Sequence, residues 1–407
     1  MTTMTAEGLD ILASSSALGP IILKNRVIKS ATFEGKTPNG HPTKALIDLH
    51  TEIARGGVAM TTVGCCNVSV DARNLDNQMY LHTDLHHGLK ELCDEVHRAG
   101  AKISAQLTHC GFFKQNKPQS TRFTLAPSFQ FNKLGAPNGR PFAISMSQKQ
   151  IQSLLGDYCG AAEVAVKAGF DCVEIQMGHG YLLNQFLSPD HNRRRDQYGG
   201  SAENRMRLPL SIVKGVKKAV GNNAAVIAKI NLDDAAKNGL RIEDYLGIGR
   251  RLEDAGIDAI VTSGGRSSGD TSFMFRGDSP IPAMARLQKN PISKIALKLF
   301  GHMQYRATPY HELYFMELAK KLRSVVDCPL VYLGGVSSPA SAIEAMKEGF
   351  EFVAMGRALI KDPNFMNNLL QNSDYTNGCT HCNQCVALVY SPQGVHCVLN
   401  QSTKCAV

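Results

Sequence analysis

Three polar side chains crowd the stretch QMGHGYLLNQFLSP: Gln176, His179 and Tyr181. An amide and an imidazole can each donate a hydrogen bond to a carbonyl oxygen and polarise it, and a phenol can hand a proton to a neighbouring atom as general acid. A lone histidine is more often a satisfied core side chain, so the reading needs other polar groups at the same place. Gln106 in KISAQL and Lys229 in AVIAKINL each interrupt an apolar run. A buried amide can pair with the edge of a heterocycle, and a lysine beside it can stabilise negative charge developing on the ring. Gly334-Gly335 and Gly356-Arg357 close two further apolar runs. Glycines there let backbone N–H groups approach a phosphate, with Arg357 as cationic partner. Packing is the alternative for each glycine, but a pattern shared by two runs favours the phosphate. Together these groups imply a phosphorylated heteroaromatic cofactor.

Such convergence needs elements that bring distant segments to one mouth. Eight short apolar or β-branched runs recur at 26–32, 57–64, 102–107, 171–177, 225–232, 259–265, 330–336 and 352–358. Longer stretches with helical spacing lie between them. Residues 84–100 place Leu85, Leu89, Leu92 and Val96 on one stripe and stop at Gly100, and 203–221 stop at Gly221 in the same way. Parallel strands buried on both faces and alternating with helices predict an α/β fold, a (β/α)8 TIM barrel. A doubly wound sheet is the competitor, but IKSATFEG lacks the G-x-G-x-x-G turn expected after its first strand. Two long connections, 108–148 and 266–308, leave the C-terminal rim and are candidate lids or substrate walls.

The chain has 407 residues, is 43% apolar and carries a formal charge of +9. It is large enough for one barrel-sized core. The basic residues form no long run, are not interleaved with aromatics, and Trp is absent, which argues against a nucleic-acid partner. The N-terminus lacks the charge pattern of a secretory signal and no apolar run is long enough to span a bilayer, so a cytoplasmic protein with no membrane partner is expected. In a reducing compartment the scattered Cys65, Cys66, Cys93, Cys110, Cys159, Cys172, Cys328 and Cys405 should be mostly buried thiols.

The stretches LKNRVIKSA, QLTHCG, HGYLLNQFLSP with NRRRDQYGGSAENRMR, and VAMGRALIKDP resemble the old yellow enzyme family of NADH:flavin oxidoreductases. The resemblance covers nearly the whole chain. It implies a (β/α)8 barrel, residues 1–370, holding FMN noncovalently. Carried over by position, Ala31, Thr32, Val63 and Gly64 would line the flavin through backbone groups. Gln106 would meet its pyrimidine edge, and Lys229 its N1 side. Gly334, Gly335, Gly356 and Arg357 would hold the phosphate. His179 would bind the activating oxygen of the substrate with Gln176 beside it, and Tyr181 would be the proton donor. The implied chemistry is ping-pong: NAD(P)H reduces the flavin and leaves, then an enone or enoyl substrate is reduced across its C=C bond. The chain departs from the family pattern at Phe33, where relatives commonly have Thr, Cys or Ser, at Gln176, a frequent His or Tyr, and at Phe112, a frequent Arg.

Residues 371–407 form a cysteine-rich tail. Cys379, Cys382, Cys385 and Cys397 give C-x2-C-x2-C-x11-C. Three thiolates at two-residue gaps can wrap successive corners of a cubane and a fourth can close it, whereas a zinc site usually uses two separated knuckles. Zinc or an empty thiol cluster stays open beside iron–sulfur. The run resembles the one that ligates a [4Fe-4S] cluster in the 2,4-dienoyl-CoA reductase and trimethylamine dehydrogenase branch of the family. Such a cluster would exchange electrons with a partner protein.

The leading expectation is an FMN-dependent ene-reductase. An amine-type dehydrogenase passing electrons through the cluster, a non-redox phosphate-binding isomerase or aldolase, and a noncatalytic cluster-binding protein are the alternatives. A homo-oligomer is compatible with all of them.

Overall fold

The computed structural model describes residues 6–117, 119, 122–288, 291–372 and 374–400. Eight parallel strands close into a barrel: β1 (Val27–Thr32), β2 (Met60–Asn67), β3 (Lys102–Thr108), β4 (Cys172–Gln176), β5 (Ala225–Asn231), β6 (Ala259–Ser263), β7 (Leu330–Tyr332) and β8 (Phe352–Met355). Each pairs with the next in the chain, and β8 closes on β1. Helices pack outside, so strand residues are buried on both faces and read as continuous apolar runs. The barrel predicted from those runs is the fold observed.

Strand ends differ from the expected bounds for local reasons. The β7 run stops before Gly334 (φ 155°) and Gly335 (φ 79°), whose positive φ breaks the extended backbone. The last run stops at Met355 because Arg357 already starts the helix Arg357–Lys361. By contrast β2 runs on to Asn67 through a bulge: the register with β3 shifts between Val63 and Cys66, and Cys65 sits at φ 55°.

The predicted helices are present as His86–Arg98, preceded by the 3-10 turn Thr83–Leu85, and Ala202–Val220. Gly100 follows the first at φ 82°, as a C-terminal stop requires. Among the described residues no helix is long and apolar enough to cross a membrane. The thiols of Cys65, Cys66, Cys93, Cys110 and Cys172 are buried, those of Cys159 and Cys328 half-buried, and Cys405 lies outside the described residues.

Both long connections fold over the C-terminal rim. The first forms a small sheet in which Phe142–Ser145 pairs with Thr124–Ala126 and Gln130–Phe131. The second forms the helices Ile281–Leu287 and Pro291–Phe300. The NRRRDQYGG loop holds an ion pair, Arg194 on Asp196 at 2.6 Å. Arg194 also donates to the carbonyls of Pro127 and Met146, tying the loop to the small sheet. The tail lies back on the same rim: Val395 N–H donates to the Glu34 carbonyl at 2.8 Å, and the Asn77 amide to the Val389 carbonyl at 3.1 Å.

Candidate active site

Two adjoining cavities open at the C-terminal ends of the strands, of about 610 Å³ and about 120 Å³. They share Ala31, Thr32, His179 and Arg357 in their walls.

Register explains which side chains reach them. Gln106 pairs with Glu174 across β3 and β4, and Lys229 with Gln176 across β4 and β5. Paired residues of neighbouring parallel strands face the same way, as do residues two apart in one strand, so all four point into the barrel. Glu174 Oε1 stands 2.8 Å from Lys229 Nζ and accepts from Gln106 Nε2 at 2.7 Å. The expected amide and cation are thus joined by a carboxylate that sequence reasoning passed over. Its signal was available, because Glu174 is two residues before Gln176 and must share its face. A second buried pair sits behind β1, where Lys29 Nζ meets Glu34 Oε1 at 2.5 Å.

The loop leaving β4 turns sharply. His179 is held at φ 58°, and its N–H donates to Asn231 Oδ1 at 3.0 Å. Burial, with Lys229 nearby, depresses the imidazole pKa to about 3, so the ring is neutral. A neutral ring assigns its two contacts: Nδ1 accepts from Gln176 Nε2 at 3.1 Å, and Nε2–H donates to Ser263 Oγ at 2.7 Å. Ser263, at the end of β6, had no sequence signal.

Tyr181 packs edge-on against Phe113, with centroids 5.2 Å apart. Its hydroxyl lies 3.6 Å from Cys65 Sγ. Burial, then the neighbouring Cys65, push the phenol well above its usual pKa, so it holds its proton and can act only as a donor near neutrality. Cys65 reaches this place because the bulge re-aims it, and burial pushes its thiol up to about 12.

Three residues expected to meet the flavin or its phosphate are not among those lining the two cavities. Val63 and Gly64 are buried, and the next residue, Cys65, lines the larger cavity. A Cβ on Gly64 would stand 1.8 Å from the Thr32 carbonyl oxygen, so this glycine serves strand packing. A Cβ on Gly334 would meet the Phe315 ring at 2.5 Å, and one on Gly335 the Tyr314 ring at 2.7 Å, so both glycines are closely packed. Gly335, Gly356 and Arg357 do line the smaller cavity. Glu312 accepts from Ser337 at 2.8 Å and from Ser338 at 2.7 Å. Phe33 lines the larger cavity, whereas Phe112 packs on His191 at 4.9 Å.

Both long connections supply walls of the larger cavity, among them Phe113, Lys133, Leu297 and Tyr305, and the tail adds Cys385, Val389 and Tyr390. Cys379, Cys382, Cys385 and Cys397 together line a third, small cavity of about 20 Å³. Burial raises the Cys385 thiol to about 12 and raises Cys379 as well. Among the described residues no group of three or more His, Cys, Asp or Glu is placed to hold a metal ion. The thiolates around a four-iron cubane stand farther apart than those around one ion, and four soft sulfurs are its usual donors.

A small pocket carrying Gly335, Gly356, Arg357 and Lys229, joined to a broad cavity carrying Gln106, has donors of the kind a flavin mononucleotide requires. The fold and site define a flavin-dependent oxidoreductase. The chain belongs to the NADH:flavin oxidoreductase / NADH oxidase family, whose model matches residues 16–266. Its members place it among FMN-dependent enzymes that use NAD(P)H. It is 36% identical over 402 residues to a 4,4'-dithiodibutanoate disulfide reductase of Rhodococcus erythropolis, covering 98% of this chain and 97% of that protein. It is 30% identical to an NADH oxidase of Thermoanaerobacter brockii, covering 91% of this chain but 52% of that protein. The chain thus spans one relative almost fully and about half of another. Among solved structures, a 2-naphthoyl-CoA reductase complex superposes with a TM-score of 0.78 at 22% identity, over 94% of this chain and 58% of that one. Morphinone reductase with tetrahydroNAD gives 0.68 at 22% identity, over 90% and 92%.

Proposed function

We propose that this protein uses NAD(P)H to reduce a small acceptor in the larger cavity, with an α,β-unsaturated carbonyl as the acceptor class. The observation that carries the reading is a neutral His179, bonded to Gln176, beside a protonated Tyr181 on the wall of one cavity. When bound, FMN would supply the two-electron hydride chemistry that links the nicotinamide to the β-carbon. The second amide hydrogen of Gln176 and the His179 N–H now resting on Ser263 grip the carbonyl oxygen. Tyr181 delivers the proton to the α-carbon, and Cys65 and Phe113 hold its phenol in place. Gln106 and Lys229, braced by Glu174, would meet the ring edge, and Gly335, Gly356 and Arg357 would hold the phosphate. Ala31 and Thr32, in the walls of both cavities, line the cofactor.

A second reading is favoured by the relative matched over almost the full length: a disulfide as acceptor. Hydride and one proton divide an S–S bond into two thiols, and Tyr181 would protonate the departing thiolate. Separate half-reactions test both. FMN-loaded protein reduced by NADPH is mixed with cyclohexenone or with 4,4'-dithiodibutanoate, and flavin reoxidation is followed without air. Rapid reoxidation by the enone supports the first reading, by the disulfide alone the second, and by neither rejects both.

We further propose that Cys379, Cys382, Cys385 and Cys397 ligate a [4Fe-4S] cluster, supported by the single cavity they line. Anaerobic iron and sulfide analysis showing about four of each per chain tests this. The cluster would exchange electrons with a partner protein.

A further inference from the structure

The spacer residues of the cysteine run are built into the wall of the anion pocket. His381 lies at φ 58° and Asn383 at φ 55°, two left-handed residues within three positions. Such backbone persists only where its surroundings hold it. Asn383 is 2% exposed, and its Nδ2 donates to the carbonyls of Phe275 and Asp278, both at 2.8 Å. Its Oδ1 accepts from Arg357 Nη1, which also donates to the Arg276 carbonyl at 2.7 Å. The His381 ring stacks on Tyr310, with centroids 3.3 Å apart and planes 13° from parallel. The Tyr310 hydroxyl in turn donates to the Gly335 carbonyl at 3.0 Å and lies 2.9 Å from Ser337 Oγ. Arg357 and His381 line both the cysteine cavity and the smaller flavin cavity.

We infer that occupancy of the four cysteines and binding of the FMN phosphate are coupled, through Asn383 to Arg357 and through His381 and Tyr310 to Gly335. The inference rests on the cluster reading above. Ligation by Cys379, Cys382 and Cys385 fixes the chain on either side of His381 and Asn383, and so fixes the strained backbone that presents them. Without it the segment relaxes, Arg357 loses one anchor, and the anion pocket must be ordered at the moment of binding. Linkage makes the effect reciprocal, so bound FMN also retains the cluster. Asn383 and His381 are positioning residues here, acting through Arg357 and Tyr310.

The test is a fluorescence titration of the full chain with FMN and, separately, with riboflavin, which lacks the phosphate. Protein with its cluster reconstituted anaerobically from iron and sulfide is compared with protein stripped by a chelator. Circular dichroism checks that the stripped barrel stays folded. The expected result is that stripping weakens FMN about tenfold or more, within the usual range of such couplings, and leaves riboflavin unchanged. In the reconstituted protein Asn383→Ala should weaken FMN in the same selective way, and the chelator arm stands by itself if that variant does not fold. Equal FMN affinity in loaded and stripped protein overturns the coupling while leaving the cluster reading intact. Parallel loss of FMN and riboflavin also overturns it, since that marks general loosening. Failure to incorporate iron and sulfide rejects both the cluster and the coupling.

Discussion

Glu174 and Lys229 stand 2.8 Å apart on adjacent strands, each almost fully buried, with the Gln106 amide on the same carboxylate oxygen. The lysine proposed to face the flavin edge therefore arrives with its charge already balanced. Glu174→Gln removes that balance and keeps the shape. Leaving one partner of a buried pair uncompensated costs about 3–5 kcal/mol, and the variant should melt earlier. The unbalanced ammonium should also draw more electron density onto the ring and make the FMN midpoint potential more positive. Thermal melting and a spectroelectrochemical titration read the two effects, and an unchanged potential would remove Lys229 from the ring edge.

Tyr181→Phe should leave flavin reduction by NADPH within about twofold and slow reoxidation by an enone by roughly 100-fold or more, because only the second half needs a proton. Stopped-flow measurement of each half separates them. Equal slowing of both halves would reassign Tyr181 to shaping the cavity.

His179 and His109 have folded pKa values of about 3, and His191 of about 4, each depressed chiefly by burial. In the unfolded chain a histidine titrates near 6.5, so between that pH and the folded values the unfolded state binds more protons. Stability from these groups is full above about pH 6.5 and is lost as pH falls, by up to about 1.4 kcal/mol per pH unit for each histidine. Urea unfolding at pH 7.5, 6 and 5 should give falling midpoints. His109→Gln should flatten that slope, and an unchanged slope would mean that His109 is not buried neutral.

Gly64→Ala places a methyl 1.8 Å from the Thr32 carbonyl oxygen, a backbone atom in the neighbouring strand. One of the two strands must shift. A loss of about 1–3 kcal/mol is expected, as for other overpacked cores. The Glu34 carboxylate, which accepts from the Gly64 N–H, would move with it. Urea unfolding checks the loss, and a neutral result would show that the approach of β1 to β2 is looser than described.

Much of the fold was legible because a parallel barrel writes each strand as an apolar run. The polar interruptions Gln106, Gln176 and Lys229 then marked the inward face, and all three reach the larger or the smaller cavity. Glu174 could have been found by the same two-residue spacing. Lys29, a charge inside an apolar run, was passed over, and nothing in the run discloses that Glu34 in the following loop pairs with it. Cys65 was not legible, because its direction depends on a bulge that residue types do not announce. Gly334 and Gly335 look alike in sequence and are both closely packed, yet of the two Gly335 lines the smaller cavity. Nor does cysteine spacing disclose where a terminal segment lies, so Val389 and Tyr390 in the cavity wall were invisible.

The larger cavity has Lys133 and Arg357 in its walls and, among the described residues, neither aspartate nor glutamate. A ligand bearing a carboxylate or phosphate at its far end therefore enters without meeting a like charge. Neutral and anionic acceptors of equal length should both be admitted, and a cationic amine finds no counter-ion there to hold it.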